Sequence, residues 1–192
     1  MTTSRSEVRG RRGWTAGRTL AAVFLLATAI FAARLLTTRS FDDGPSPAAL
    51  ANAASLPVTL ADGRRARLGD AIRPGVPTVI SLWASWCGPC RVEAPEIAAL
   101  RRRFGPAELN LVYLNVRDPG ADPAALVRYM RSVGLPADVY ATMEDAHLVQ
   151  LTNDLANAIP RTYVYDRAGA SIAMIIGYKP LAFARIAGLV AA

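Results

Sequence analysis

Eight residues, Pro77 to Ala84 (PTVISLWA), carry no charge and are rich in β-branched and aromatic side chains, and a cysteine follows three positions after they end. An uninterrupted apolar run of this length, without polar alternation, is the pattern of a strand buried on both faces. Such a strand needs helices on each side of its sheet, so this one segment confines the chain to a layered α/β architecture. It runs directly into Trp86-Cys87-Gly88-Pro89-Cys90.

The flanking segments fit that frame. Leu56 to Leu68 holds two short strand-like runs around Asp62-Gly63, a hairpin signal. After Cys90, the residues Ile97, Leu100 and Phe104 recur at helical spacing, and Arg101 to Arg103 complement the dipole of the last turn; Pro95 removes one backbone hydrogen bond and is expected to kink this helix. Leu109 to Val116 is a second strand, and the next helix is capped by Asp122, opened by Pro123 and closed by Gly134. A short strand near Val139, a helix from about Asp145 to Ala156, the runs TYVYD and SIAMII around Arg167-Ala168-Gly169, and an apolar helix after Pro180 complete the series. The order β-α-β-α-(β-α)-β-β-α implies an α/β fold, a central mixed sheet flanked by helices with an antiparallel final hairpin.

The chain has two cysteines, and their spacing carries the chemistry. At the first turn of a helix Cys87 faces unpaired backbone N–H groups at the positive end of the dipole, which favours thiolate over thiol. Cys90 lies one turn deeper, within reach for a disulfide. Cys87 is therefore the candidate nucleophile and Cys90 the resolving thiol, with protein disulfides as substrates. Pro89 suits an early helical position, Gly88 leaves clearance for an approaching polypeptide, and Trp86 supplies an apolar rim. A zinc site would need two more ligands, from His147 and carboxylates. A c-type haem attachment would need His where Arg91 stands, and a purely structural bridge over so short a loop stabilises little. No metal or cofactor is expected. Two alternatives remain: a copper-delivery module, for which Met130, Met143 and Met174 are scattered, and a thiol peroxidase, for which Ser85 is the one cue.

The net charge of +7 is unevenly spread. Residues 1–40 hold seven arginines and one acid, +6, leaving fifteen bases and fourteen acids, +1, for the rest. A nucleic-acid partner would want that charge on the folded body, so none is expected. Five arginines precede an uncharged run from Thr19 to Ala33, which Leu35 and Leu36 extend past a snorkelling Arg34. This pattern predicts a basic cytoplasmic segment over residues 1–18, a single-pass anchor over 19–37, a linker over 38–55 and the domain over 56–192, with the domain outside the cytoplasm. A signal peptide cut near Ala27-Thr28-Ala29 is the competing reading.

SLWAS, WCGPC and RVEAPEI together, with LVYLNV and IPRTYVYDRAG, resemble the thioredoxin superfamily and more narrowly the TlpA/ResA-type membrane-tethered thiol-disulfide oxidoreductases. The resemblance covers roughly Leu56 to Val190. It implies a thioredoxin fold with a central insertion, a cis peptide before Pro160, a substrate clamp at Ile159 and Pro160 opposite the cysteines, and residence on the bacterial inner membrane. Partners implied are disulfide-bearing exported proteins, such as apocytochrome c or copper-site assembly proteins, and a membrane thiol carrier as reductant. Three positions depart from the superfamily pattern. Ser81 stands where a buried Asp is usual, so a water or Glu144 is the candidate substitute proton shuttle, Glu144 otherwise reading as a solvated cap residue. Arg161, bulkier than usual after the proline, is a candidate to lower the Cys87 pKa or to favour acidic partner segments, the alternative being a solvent-facing arginine. Arg91 and Glu93 fit the narrower family and are read as markers of it, without a catalytic part.

Overall fold

The central strand forms where the apolar run predicts it, as β3 (Thr78–Trp83), and every residue in it is buried. The structure, a computed structural model, describes residues 19–30, 41 and 46–191. The chain divides into two units, Met1–Arg39 and Ser40–Ala192.

In the first unit, residues 19–30 form a helix, α1, exposed throughout. Among the described residues no helix is long and apolar enough to cross a membrane. Residues 1–18, residues 31–37 of the expected anchor, and residues 38–40 and 42–45 of the expected linker lie outside the described residues.

In the second unit the chain runs α2 (Leu50–Ala53), β1 (Pro57–Leu60), β2 (Arg65–Arg67), β3, α3 (Gly88–Arg103), β4 (Asn110–Asn115), α4 (Pro123–Ser132), β5 (Tyr140–Thr142), α5 (Asp145–Thr152), β6 (Arg161–Tyr165), β7 (Ser171–Ile176) and α6 (Ala182–Ala191). The seven strands form one mixed sheet in the order β2-β1-β5-β4-β3-β6-β7. β3, β4 and β5 are parallel, while β6 and β7 add an antiparallel edge beside β3 and the β1–β2 hairpin adds another beside β5.

Side chains alternate across this sheet and give it two cores. Val79, Trp83, Leu111, Tyr113, Val164 and Ile175 pack on one face against α3, α4 and α6. Ile80, Leu82, Val112, Leu114, Tyr163 and Tyr165 pack on the other with α2 and α5. The indole of Trp83 stacks on Tyr113 with ring centroids 4.6 Å apart.

Two boundaries differ from the sequence reading. The linker expected to last until residue 55 ends earlier, because Leu50 and Ala53 are buried in α2 and Ala48 is held at both ends: its N–H donates to Leu151 O at 2.9 Å and its carbonyl accepts the Tyr165 hydroxyl at 3.2 Å. Helix α5 stops at Thr152 rather than near Ala156, since Asn153 takes the left-handed conformation (φ 51°) that ends a helix.

Candidate active site

Both parallel strands β3 and β4 end at the same edge of the sheet, and the cysteines are placed there by the β3–α3 turn. Cys87 is the N-cap of α3, and its sulfur accepts the Cys90 backbone N–H at 3.2 Å. The two are joined in a disulfide with Cα atoms 5.3 Å apart. Pro89 lies in the first turn, where its missing N–H costs no helical bond. Cys90 is buried and Cys87 is 3 % exposed, so the bridge sits behind a rim made by Trp86, 60 % exposed, with Gly88 and Pro89. A Cβ added to Gly88 would meet nothing within 4 Å, so this part of the rim faces open space.

Residues from the β4–α4 segment fix this turn. Asp118 accepts the Ser85 backbone N–H at 2.7 Å and the Ser85 hydroxyl at 3.0 Å, and also the Asn115 side-chain amide at 3.0 Å. Arg117, at φ 54°, offers its carbonyl to the Trp86 indole N–H at 2.8 Å. From α3 itself, Arg91 donates to the Ser85 carbonyl at 2.9 Å, and its guanidinium lies 5.8 Å from the centre of the Tyr129 ring.

Beneath the pair is a polar group enclosed by apolar walls. Glu93, one turn beyond Cys90 on α3, is fully buried and accepts the Thr162 hydroxyl at 3.1 Å through Oε1. Among the described residues its Oε2 has no partner, and neither does the hydroxyl of Ser81, the β3 residue directly opposite Thr162 on β6 and Tyr113 on β4. Burial pushes the Glu93 carboxyl up to about 8; the Thr162 hydroxyl acts against this and the Glu96 charge adds to it. The same burial raises the neighbouring Tyr113 phenol.

The expected clamp lies beside this group. The Ile159–Pro160 bond is cis. β6 starts immediately after it, with Arg161 paired to Leu82, so Pro160 and Ile159 continue past Trp83 toward the turn that carries Cys87. Gly177 N–H donates to the Pro160 carbonyl at 2.8 Å.

Two expected modulators are elsewhere. Glu144 precedes α5 and lines a cavity of about 220 Å³ with Thr59, Arg65, Thr142 and His147, on the β1–β5 side of the sheet, two strands over from β3. A buried carboxyl does lie beside Thr162, but on α3, as Glu93. Arg161 points to the sheet face opposite Thr162, is 2 % exposed, and pairs with Asp154 at 2.6 Å and the Tyr163 hydroxyl at 3.3 Å. Strand alternation thus removes it from both Cys87 and an incoming segment.

Glu93, Thr162, Arg117 and Asp118 went unrecognised as site residues in the sequence. A signal existed for Glu93: it shares the stripe Cys90, Ala94, Ile97 at helical spacing, where a carboxylate among apolar residues is anomalous. Arg117-Asp118 follow a buried strand at the edge where α/β proteins place their sites.

Residues 49–171 match the AhpC/TSA family. The chain is 29% identical over 138 residues to the thiol:disulfide interchange protein HelX of Rhodobacter capsulatus, covering 71% of this chain and 73% of HelX. It is 25% identical over 116 residues to the thiol-disulfide oxidoreductase ResA of Bacillus subtilis, covering 60% of each. It spans about half, 51%, of the thioredoxins it matches over 61 and 60 residues. A DsbF homologue from Corynebacterium diphtheriae superposes with a TM-score of 0.58 over 76% of this chain and 88% of that one, at 19% identity, so the fold is thioredoxin-like.

Proposed function

The chain belongs to the AhpC/TSA family, and from that membership and the geometry around Cys87 we propose that it is a thiol-disulfide oxidoreductase that reduces disulfides in exported proteins. The observation that carries this reading is one arrangement: a Cys87–Cys90 bridge at the start of α3 with a buried, high-pKa carboxyl one turn further on.

In the reduced protein the Cys87 thiolate is stabilised by the α3 N-terminus and the Cys90 N–H. It attacks a client disulfide, forming the Cys87–client bond and expelling one client thiolate. The Glu93 carboxylate takes the Cys90 proton, directly or through a water. The Cys90 thiolate then attacks the Cys87 sulfur, closing the bridge and releasing the second client thiolate. A base whose pKa lies near that of a thiol suits this transfer, and the oxidised protein is left with Glu93 neutral. Ile159 and the backbone before Pro160 would receive the client segment, and Trp86, Gly88 and Pro89 would border it.

Gly-Pro between the cysteines supports the reducing direction, with electrons arriving from a membrane thiol carrier. Apocytochrome c and copper-site assembly proteins are the client classes the family resemblance suggests. The arginine-flanked run over residues 19–37 supports a single-pass anchor in the inner membrane, which would raise the domain's effective concentration near that carrier. A peroxidase is less well supported, because the Ser85 hydroxyl is committed to Asp118. For copper delivery, Met130, Met143 and Met174 are all buried, Met143 and Met174 in the core on the opposite face of the sheet from the cysteines.

The test is reduction of a peptide disulfide by the pre-reduced protein. Cys87→Ser is expected to abolish turnover and Cys90→Ser to accumulate a mixed disulfide. A Cys87/Cys90 potential near about −120 mV, that of a strong oxidant, would reverse the direction. Recovery of the full chain in the soluble fraction, with its N-terminus intact, would remove the anchor.

A further inference from the structure

Leu155, at 86 %, is the most exposed large apolar side chain among the described residues. A residue so placed on a loop is ordinarily mobile, yet its neighbours are fastened. Asp154 Oδ1 accepts the Ala156 N–H at 2.9 Å, making a tight turn with Leu155 at its apex, and Asp154 Oδ2 takes the buried Arg161 guanidinium at 2.6 Å. Asn157, in the left-handed region at φ 45°, accepts the Thr152 hydroxyl on its side chain at 2.6 Å and the Arg117 guanidinium on its carbonyl at 3.2 Å.

Arg117 ties this turn to the redox site. Its guanidinium holds Asn157 while its carbonyl holds the Trp86 indole. The turn bearing Leu155 and the rim residue next to Cys87 thus share one anchor, with half-buried Ile159 following in the chain. An apolar side chain held at a fixed place in solvent, beside a site that receives polypeptide, forfeits little conformational freedom on contact. Single exposed apolar residues are common; here the turn that displays one is fastened through Asp154 to the buried Arg161 guanidinium.

We propose that Leu155 is a specificity residue, against which an extended client segment lays an apolar side chain near its disulfide, and that Arg161, Asp154 and Arg117 are positioning residues that preset its place. The proposal rests on the oxidoreductase reading. Two electrons pass from the Cys87 and Cys90 thiols to the client disulfide, leaving the Cys87–Cys90 bond and two client thiols.

The experiment uses the pre-reduced full chain and two peptide disulfides that differ only in flanking the cysteines with Leu or with Ser. The wild type is expected to favour the Leu-flanked peptide in kcat/KM through a lower KM. Leu155→Ser should cut that preference about fivefold to twentyfold, the effect of withdrawing part of a leucine-sized contact. Asp154→Asn, which loosens the turn but retains Leu155, should cut it less. An unchanged preference in Leu155→Ser overturns the proposal, as does a shift from dimer to monomer in Leu155→Ser during sedimentation, which would make this turn a contact between copies. Oxidised glutathione serves as the third substrate: a wild type that reduces none of the three overturns the oxidoreductase reading itself, whereas a wild type that reduces all three without preference overturns this inference alone.

Discussion

Arg161 and Thr162 are consecutive residues of β6, and they look into opposite faces of the sheet at two carboxyl groups held in opposite states. On the α5 side, Asp154 is kept ionised: the Ala156 N–H, and after it the Arg161 guanidinium, hold its pKa below the ordinary value. On the α3 side, Glu93 has one hydroxyl bond and an unpaired oxygen, and burial drives it up to about 8. The first carboxyl fastens a loop, and a charge paired in advance serves that purpose. The second is costly to ionise in its surroundings, which makes it a poor fastener and a good proton acceptor for a thiol.

The sharpest way to break this contrast is to remove the Glu93 charge. In the oxidised protein, where no thiol titrates, the folded state keeps the Glu93 proton from the ordinary value of 4.5 up to about 8 while the unfolded chain releases it. The folded state binds more protons across that window, so the Glu93 contribution to stability is full below about pH 4.5 and declines as pH rises to about 8. At about 1.4 kcal/mol per pH unit, that decline amounts to roughly 5 kcal/mol. Glu93→Gln should abolish this slope in urea unfolding followed across pH, and should also slow peptide-disulfide reduction by about tenfold to a thousandfold. A slope retained in the variant would mean that Glu93 ionises freely in the folded protein.

The Asp154 side should respond with the opposite sign. Asp154→Ala leaves the Arg161 guanidinium, 2 % exposed, with only the Tyr163 hydroxyl as a partner, so the variant is less stable than the wild type at neutral pH. Because the folded Asp154 pKa is depressed, its contribution is present above the unfolded value of 3.8 and fades as pH falls below it, where the two proteins should converge. The expected loss is smaller than the Glu93 effect, since Asp154 stands at the solvent edge. Arg161→Leu, which removes the buried charge and keeps most of the packing, should cost less again. Denaturant midpoints for the three proteins at neutral and acid pH decide the order.

What was legible in the sequence was local. Cys87-Gly88-Pro89-Cys90 at a helix start, Asp122-Pro123 opening α4 and the buried β3 run depend on neighbours a few residues away, and each appears at its predicted place. What was not legible depends on which residues the sheet brings together. Alternation alone separates Arg161 from Thr162, but which of the two faces the cysteines is set by the pairing of β3 with β6, which puts Ser81 opposite Thr162. Glu144 looked available because it lies in the inserted region, and the strand order sets it behind β5, two strands over from β3. The segment before Leu56 has too few large apolar residues for any periodicity to show, although Leu50 and Ala53 are buried.

The finest test of the comparison exchanges one hydroxyl for a methyl group. Thr162→Val keeps the shape of the residue while deleting the donor to Glu93 Oε1, at a cost of about 1 kcal/mol at a pH where the carboxyl is neutral. The Thr162 bond lowers the Glu93 pKa, so its loss should move the carboxyl's titration upward from about 8. Groups facing Glu93 from other elements, the Tyr113 phenol on β4 and the Tyr178 phenol bonded to Glu96, both have raised pKa values and stay neutral through this range. The titration can be followed by carbon NMR of a labelled glutamate carboxyl in the oxidised protein. An upward displacement shows that the hydroxyl supports the charged form, making Thr162 the part of β6 that keeps Glu93 able to ionise at all; a midpoint that stays or falls shows that the apolar walls alone set it.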